Sequence, residues 1–318
     1  MTEGISTAKI LRRFGLLIAF ALLVAVLALI SDQFFTLGNI VNLLVQASVI
    51  STIAVGMTMV ILTAGIDLSV GSVLALSAVV TADLLQMNIP VILAVLGGMG
   101  VGAAAGLVSG LLVTQVNIPP FIATLGMMTL GRGRARTYTG GRPITSLPDS
   151  FRFMGTGHIL GIPAPIWVMV AAYAVGIILL SRSKLGQYIY AIGNNATAAK
   201  VSGLPVKTIK TLVYVISGAL AAIAGMILVA RLDSAQPTMG IRYELDTIAA
   251  VVVGGTVLSG GFGTLWGTIL GALIMAVIAN AINILGISPF YAQVVQGAVI
   301  IGALLIHQFA GRIGTEGA

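Results

Sequence analysis

The sequence contains no cysteine and very few charged residues. Without cysteine, the chain forms neither disulfides nor zinc–thiolate or iron–sulfur centres. Its two histidines, His158 and His307, also argue against a metal centre built from protein side chains. Charged residues make up 8% of the chain, against about 25% in typical soluble domains. The shortage of charge excludes an ordinary soluble globular protein.

The nucleotide-binding P-loop is also missing. That motif needs a lysine directly after a glycine in order to cradle phosphate, and each of the five lysines follows a residue other than glycine. The catalytic patterns HExxH and GxSxG do not occur either. We therefore expect the chain to bind no ATP through a P-loop, to carry no cofactor of its own and not to be an enzyme.

Long apolar segments make up most of what is present. Hydrophobic residues account for 58% of the sequence, and the mean hydropathy is +1.10. A helix that crosses a membrane needs about 20 apolar residues. The sequence therefore predicts an all-α integral membrane protein, a single transmembrane domain with about ten transmembrane helices. The predicted spans are 14–30, 40–64, 68–87, 90–114, 118–137, 165–181, 211–230, 245–259, 264–285 and 290–309.

The basic residues that flank these spans predict the orientation. Lysine and arginine collect in the cytoplasmic loops of membrane proteins. Lys9, Arg12 and Arg13 precede the first span, and the loop 182–210 carries five basic residues and no acid. Ten crossings place both termini and this loop in the cytoplasm. Because the basic residues follow the membrane boundaries, the net charge of +7 does not indicate nucleic-acid binding.

The arginines between residues 132 and 152 oppose this orientation. The predicted topology places nine basic residues inside and seven outside, so the margin is small. It also places the loop 138–164 in the periplasm. This loop is rich in glycine and proline and long for a connection between spans, which suggests a surface that faces a partner.

Two spans carry glycine at every fourth position. This spacing places the glycines on one face of a helix, where the missing side chains allow neighbouring backbones to approach. We expect close helix packing at these faces, with a direct contact to substrate as the alternative. The two sets are Gly98, Gly102, Gly106 and Gly110, and Gly263, Gly267 and Gly271.

Two glycine-rich segments, 63–72 and 254–263, interrupt the apolar pattern. In the first, Gly65 is suited to end one helix in a left-handed turn, and Asp67 is suited to cap the next. The alternative is that the Asp67 carboxylate faces a water-filled path, as discontinuous helices do in transporters. Such paired breaks suggest an inverted repeat, in which spans two to five mirror spans seven to ten around a central site.

Several polar residues lie within or at the ends of the spans. Amide side chains form hydrogen bonds with sugar hydroxyls, but they also link helices to each other, and both interpretations stay open. Glu244 and Asp246 begin the eighth span, where acids favour the helix dipole. The candidate residues of a translocation pathway are Asn42, Gln46, Asp67, Asn280 and Asn283.

The segment IYAIGNNATAAKVSGLPV, residues 189–206, is polar compared with the spans on either side. Asn194 or Asn195 is suited to cap a short helix that Ser202-Gly203 would end. A helix with small residues on the cytoplasmic face suggests a docking surface for a cytoplasmic partner. The alternative is an ordinary connecting loop.

Five long motifs resemble the monosaccharide permeases of bacterial ABC importers. They are AVGMTMVILTAGIDLSVGS (54–72), FIATLGMMTLGRG (121–133), KLGQYIYAIGNNATAAKVSGLPV (184–206), ARLDSAQPTMGIRYELDTIAAVVVGGTVLSGG (230–261) and GTLWGTILGALI (263–274). The resemblance covers nearly the whole chain. The run GRGRARTYTGGRPI, residues 131–144, departs from the family, which usually has fewer arginines there.

The resemblance implies a multi-pass subunit of the bacterial inner membrane, with ribose as the expected sugar. It implies a second permease copy, a periplasmic sugar-binding protein and a cytoplasmic ATPase with two nucleotide-binding domains, where ATP and Mg bind. The loop 182–210 then becomes a coupling loop. The residues that match the ATPase-coupling motif are Gly193, Asn194, Ala198, Ala199, Ser202 and Gly203.

A different class of function is a secondary transporter or facilitator of a small polar solute. Such a protein would move sugar in vesicles that contain this chain alone, whereas the pore subunit of an importer depends on its ATPase. An integral-membrane enzyme would need a catalytic constellation that the sequence lacks.

Overall fold

The computed structural model describes residues 7–288 and residues 291, 294, 295, 297, 298, 301 and 302. The described chain is mostly helical. Its helices are α1 Thr7–Ile30, α2 Leu37–Leu62, α3 Val70–Gln86, α4 Val91–Thr114, α5 Pro120–Thr139, α6 Asp149–Thr156, α7 Ala164–Arg182, α8 Lys184–Asn194, α9 Ala196–Val201, α10 Val206–Leu232, α11 Tyr243–Val253 and α12 Leu265–Ile284.

A helix coincides with each of the first nine predicted spans. The tenth, 290–309, lies mostly outside the described residues, and those that are described there are helical. Five helices, α2, α4, α7, α10 and α12, are long and apolar enough to cross a membrane, and α1 and α3 provide shorter apolar helices. Because several of its helices can cross a membrane, the chain is a multi-pass membrane protein.

The prediction of an all-α fold is confirmed in that the described chain is mostly helical, with four two-residue strands in its connections. Strand β1, Ile144–Thr145, pairs antiparallel with β4, Ser234–Ala235. Strands β2, His158–Ile159, and β3, Ile162–Pro163, form a small hairpin. The loop predicted over 138–164 thus contains β1, α6 and this hairpin, and it is tied to the segment that follows α10.

Helix α10 lies at the centre of the packing and contacts α2, α3 and α4. The first glycine set on α4 faces it. A Cβ on Gly102 would overlap the carbonyl oxygen of Gly218, and a Cβ on Gly106 would overlap that of Tyr214. The prediction of close helix packing is confirmed here, because the two backbones touch where side chains are missing.

The second glycine set packs α12 against α11. A Cβ on Gly267 would overlap the carbonyl oxygen of Gly254, and one on Gly271 would overlap that of Ala250. Helix α2 contacts both α11 and α12. The buried hydroxyl groups of Thr58 on α2 and Thr268 on α12 lie 2.8 Å apart and share a hydrogen bond.

The first break differs from its prediction at Gly65. Helix α2 ends at Leu62, and the left-handed residue is Ala64, with φ 57°. The amide of Gly65 instead donates to the carbonyl oxygen of Val60 at 3.0 Å. A Cβ at Gly65 would lie 2.6 Å from the Tyr214 hydroxyl oxygen. Contact with α10, rather than backbone handedness, therefore requires glycine at this position.

Helix α11 is shorter than the predicted span 245–259. It has 11 residues and ends before Gly254 and Gly255, the latter with φ 86°. At 1.5 Å per residue the helix is about 16 Å long, roughly half the hydrocarbon thickness of a bilayer. Its first turn contains Glu244 and Asp246, where carboxylates offset the positive end of the helix dipole.

Candidate functional site

The segment α8–α9 has the short helix that the sequence predicts. The side chain of Asn195, not Asn194, caps α9 by accepting a hydrogen bond from the amide of Ala198 at 2.9 Å. Helix α9 ends at Val201 with Ser202 as its C-cap, and Gly203 follows with φ 82°. The helix and its end are therefore confirmed. They arise from local sequence, since cap and breaker directly flank a helix of six residues.

The six residues assigned to coupling do not all lie on the surface. Four are exposed, Gly193 is half-buried and Ala199 is buried. Ala199 belongs to an apolar cluster with Ile209 and Val213 of α10. The exposed four are Asn194, Ala198, Ser202 and Gly203. Val201, on the same short helix, is 85% exposed, so α9 has small and apolar groups on the surface of the molecule.

The end of α8 meets both glycine-rich breaks at one point, which we call the inner junction and define by Leu62, Gly193 and Gly261. The amide of Gly261 donates to the carbonyl oxygen of Leu62 at 3.0 Å. A Cβ on Gly193 would overlap that oxygen, and one on Gly261 would overlap the Asn194 side chain. The hydroxyl of Tyr190 donates to the carbonyl oxygen of Gly263 at 2.8 Å. The α8–α9 segment is thus hydrogen-bonded to the second break and in close backbone contact with the end of α2.

Asp67, in the connection between α2 and α3, is 1% exposed. Its Oδ1 accepts hydrogen bonds from the Ser69 amide at 3.0 Å and the Ser69 hydroxyl at 2.6 Å, and its Oδ2 accepts one from the Ser217 hydroxyl at 2.9 Å. Burial raises the pKa of the carboxyl above its usual value, although these hydrogen bonds oppose the shift. The N-cap residue of α3 is Ser69, so Asp67 ties the turn before the helix to α10.

A cavity of about 190 Å³ lies between α2, α10, α11 and α12. Its walls are mostly apolar, with four polar side chains: Gln46, Arg231, Tyr243 and Asp246. We call it the four-helix cavity. Gln46 was a candidate from the sequence, whereas Arg231 and Tyr243 were missed and Asp246 was considered only for the helix dipole. The signal for Arg231 is an ionisable residue at the end of an apolar helix, which is typical of functional sites in membranes.

The predicted pathway residues do not all come together. Asn42 accepts a hydrogen bond from Arg231 at 2.8 Å, beside the four-helix cavity. Asn280 is 3% exposed, and it exchanges two hydrogen bonds with Asn39, at 2.8 and 3.1 Å. It therefore links α12 to α2, as the alternative interpretation held. Asn283 is exposed and does not line the cavity.

Arg132 holds the connection that leads into α11. Its guanidinium on α5 donates to the carbonyl oxygens of Pro237, at 3.1 Å, and of Met239. A Cβ on Gly71, at the start of α3, would overlap the carbonyl oxygen of Gly240. The beginnings of α3 and α11 therefore lie side by side. Arg132 fixes the backbone just before Tyr243, which lines the cavity.

Within the part of the chain that the structure describes, no group of histidine, aspartate and glutamate side chains is arranged to hold a metal ion. The polar groups of the four-helix cavity instead include hydrogen-bond donors and acceptors. They are an amide and a hydroxyl, which do both, a guanidinium, which donates, and a carboxylate, which accepts. Such a set suits a neutral ligand with many hydroxyl groups.

Comparison with known proteins agrees with the motifs. The chain is 47% identical over 298 residues to the ribose import permease protein of Haemophilus influenzae, covering 92% of each chain. It is 47% identical over 294 residues to that of Escherichia coli K12 (91% and 92% covered) and 36% identical over 302 residues to the D-allose transport system permease protein of that strain (94% and 93% covered). No solved structure matches the chain.

A family model described as the permease component of branched-chain amino acid transport systems matches residues 39–304. That stretch includes both glycine-rich breaks, the α8–α9 segment and the four-helix cavity. The resemblance that the motifs indicated is thereby confirmed. The chain belongs to this family of membrane permease components.

Proposed function

We propose that this chain is the ribose-translocating permease subunit of a bacterial ATP-driven importer. The observation that carries the proposal is the level of identity. It is 45–47% to ribose import permeases, including that of Bacillus subtilis, and 35% to the L-arabinose permease of Escherichia coli. The family description itself names amino acids, so the sugar rests on these relatives.

The proposed architecture is a single transmembrane domain of ten spans over residues 1–318, with both termini in the cytoplasm. An inverted repeat would relate spans two to five to spans seven to ten. The packing supports this proposal, because α10 contacts α3 and α4 while α2 contacts α11 and α12. A twofold axis in the membrane plane would exchange those two sets of contacts. The adjoining starts of α3 and α11 would lie near that axis.

The four-helix cavity is the part of the pathway that we assign to the sugar. Gln46, Tyr243 and Asp246 would bind its hydroxyl groups. Arg231, held by Asn42, would be fixed at the rim. A sugar in transit needs only weak binding, since the periplasmic sugar-binding protein can supply the selection. The loop 138–164 would face that protein in the periplasm.

A second permease copy would cover the exposed face of α5. Small and polar residues recur on this face at intervals of three or four, namely Gly126, Thr129, Gly133 and Thr137. Two exposed arginines, Arg134 and Arg136, and exposed apolar side chains such as Ile122 and Leu130 lie beside them. Arginines and a row of small polar residues on a spanning helix are costly to expose to lipid. They suit close approach of another helix or of water. The proposed functional unit is therefore a homodimer of permeases.

The α8–α9 segment would bind the cytoplasmic ATPase through Asn194, Ala198, Ser202 and Gly203. ATP and Mg would bind in the two nucleotide-binding domains of that subunit. A displacement of α9 would reach the ends of α2 and the break 254–263 through the inner junction, which is bonded to both. Helices that end at these breaks would then tilt as rigid bodies, and the pathway would open to each side in turn.

The test is reconstitution in vesicles with the ATPase and binding protein encoded beside the gene. We expect ATP-dependent uptake of ribose that excess ribose suppresses and that arabinose, allose and glucose suppress weakly. Vesicles with the purified chain alone should neither hydrolyse ATP nor accumulate sugar. Accumulation by the chain alone would instead identify a secondary transporter. Preferential uptake of another sugar would overturn the assignment of ribose.

A further inference from the structure

A second cavity, of about 770 Å³, opens where α4 ends and α10 begins. Its walls come from the end of α4, the connection to α5, helix α9 and the first turn of α10. The lining contains three lysines, Lys200, Lys207 and Lys210, and no acidic residue. We call this cavity the lysine groove and define it by these three residues.

The positive charge of the groove is not neutralised within the described residues. None of the three lysines forms an ion pair with a described acidic residue. Lys207 donates to the neutral side chain of Gln115 at 3.2 Å. Like charges around one concave surface create a positive potential that favours an anionic ligand.

The groove adjoins a surface that faces lipid. Helix α4 is long and apolar enough to cross a membrane, and only 22% of its most apolar stretch is buried. Its exposed side chains include Leu107, Val108 and Leu111. Within the next turn, Val113 and Thr114 already line the groove. A molecule with acyl chains along α4 would therefore bring its polar end to the lysines.

We propose that the lysine groove binds the phosphate headgroup of an anionic membrane phospholipid. The apolar wall above the groove and its basic lining match the two ends of such a lipid, and basic pockets at the cytoplasmic end of membrane helices bind headgroups of this kind. The proposal rests on the proposed function only for the orientation that places the groove at the cytoplasmic surface. Because Lys200 belongs to α9, a bound headgroup would also hold that helix.

The test measures lipid binding to the purified full-length chain by native mass spectrometry during titration. We expect phosphatidylglycerol to bind more tightly than phosphatidylcholine. K207Q/K210Q should weaken phosphatidylglycerol binding roughly 10- to 30-fold, since each lysine near an anionic membrane adds about fivefold. K207R/K210R should keep most of the affinity. The control, R182Q/K184Q, removes the same charge from outside the groove and should change binding less than twofold.

Several results would overturn the proposal. Equal weakening by the control pair would indicate unspecific attraction, and release of the lipid by millimolar inorganic phosphate would indicate a site for free anions. Release of the lipid by the ATPase, with loss of ATPase binding in K207Q/K210Q, would identify the partner protein as the occupant. Because binding is read without transport, a failure of ribose uptake leaves this result unaffected.

Discussion

The amide of Gly261 donates a hydrogen bond to the carbonyl oxygen of Leu62, 3.0 Å away. This bond joins the end of α2 to the second glycine-rich break. A Cβ on Gly193 would overlap the same oxygen and lie 2.9 Å from the Gly261 Cα. Three backbone segments thus meet with no room for a side chain, so we expect movement of α8 to shift the end of α2 and the second break.

Gly193→Ala is therefore expected to destabilise the inner junction. The added methyl meets backbone on two sides, and such overpacking costs about 1–3 kcal/mol. The measurement is thermal unfolding of the purified permease together with ribose uptake. Gly38→Ala on α2 is the control, because nothing lies within 4 Å of a Cβ there. Equal unfolding temperatures for both variants would show that the junction tolerates the methyl group.

Ala198→Trp tests the proposed binding of the ATPase to α9. Ala198 is exposed on α9, so the variant should insert and fold normally but lose ATPase association and uptake, because a bulky ring would not fit a close interface. Gly203→Glu should act in the same direction. Thr156→Trp, exposed at the end of α6, should keep the ATPase. Co-purification of the ATPase measures the effect. Full retention of the ATPase by both Ala198→Trp and Gly203→Glu would make this segment a passive connector.

Asp67→Asn should be mild, whereas Asp67→Ala should cost about 1–3 kcal/mol of stability. Asparagine retains an oxygen that accepts from Ser69, and the Ser217 hydroxyl can reverse its hydrogen bond to accept from the new amide. Alanine leaves the buried donors of both serines unpaired. Thermal unfolding and uptake distinguish the two. Complete loss of transport in a stably folded Asp67→Asn variant would show that the charge itself is required.

If ribose passes through the four-helix cavity, substitutions in its wall should reduce ribose uptake without abolishing it. Gln46→Ala removes a hydrogen-bonding side chain from its wall, and Asp246→Asn replaces one acceptor oxygen with a donor amide and removes the charge. We therefore expect uptake to fall roughly 5- to 30-fold in each variant, as for about 1–2 kcal/mol of lost interaction. Asn283→Ala serves as the control, since Asn283 is exposed and outside the cavity. ATPase association should stay unchanged throughout. Normal uptake in both cavity variants would place the pathway elsewhere.

Hydropathy and local caps predicted much of the fold. The first nine apolar spans coincide with helices, because a span is specified by its own length and composition. The cap at Asn195 and the end of α9 before Gly203 followed from residues that directly flank this short helix. The glycine sets on α4 and α12 predicted close packing, but not that α10 and α11 are their partners.

The sequence by itself determined the class of protein, the family and the elements that depend on neighbouring residues. Only the tertiary structure decided that Asn280 bonds to Asn39, that Gly65 faces Tyr214 and that Arg231 shares a cavity with Gln46. The physical reason is distance along the chain. The sequence around an asparagine, a glycine or an arginine does not indicate which distant residue it contacts. Helix packing alone selects that partner.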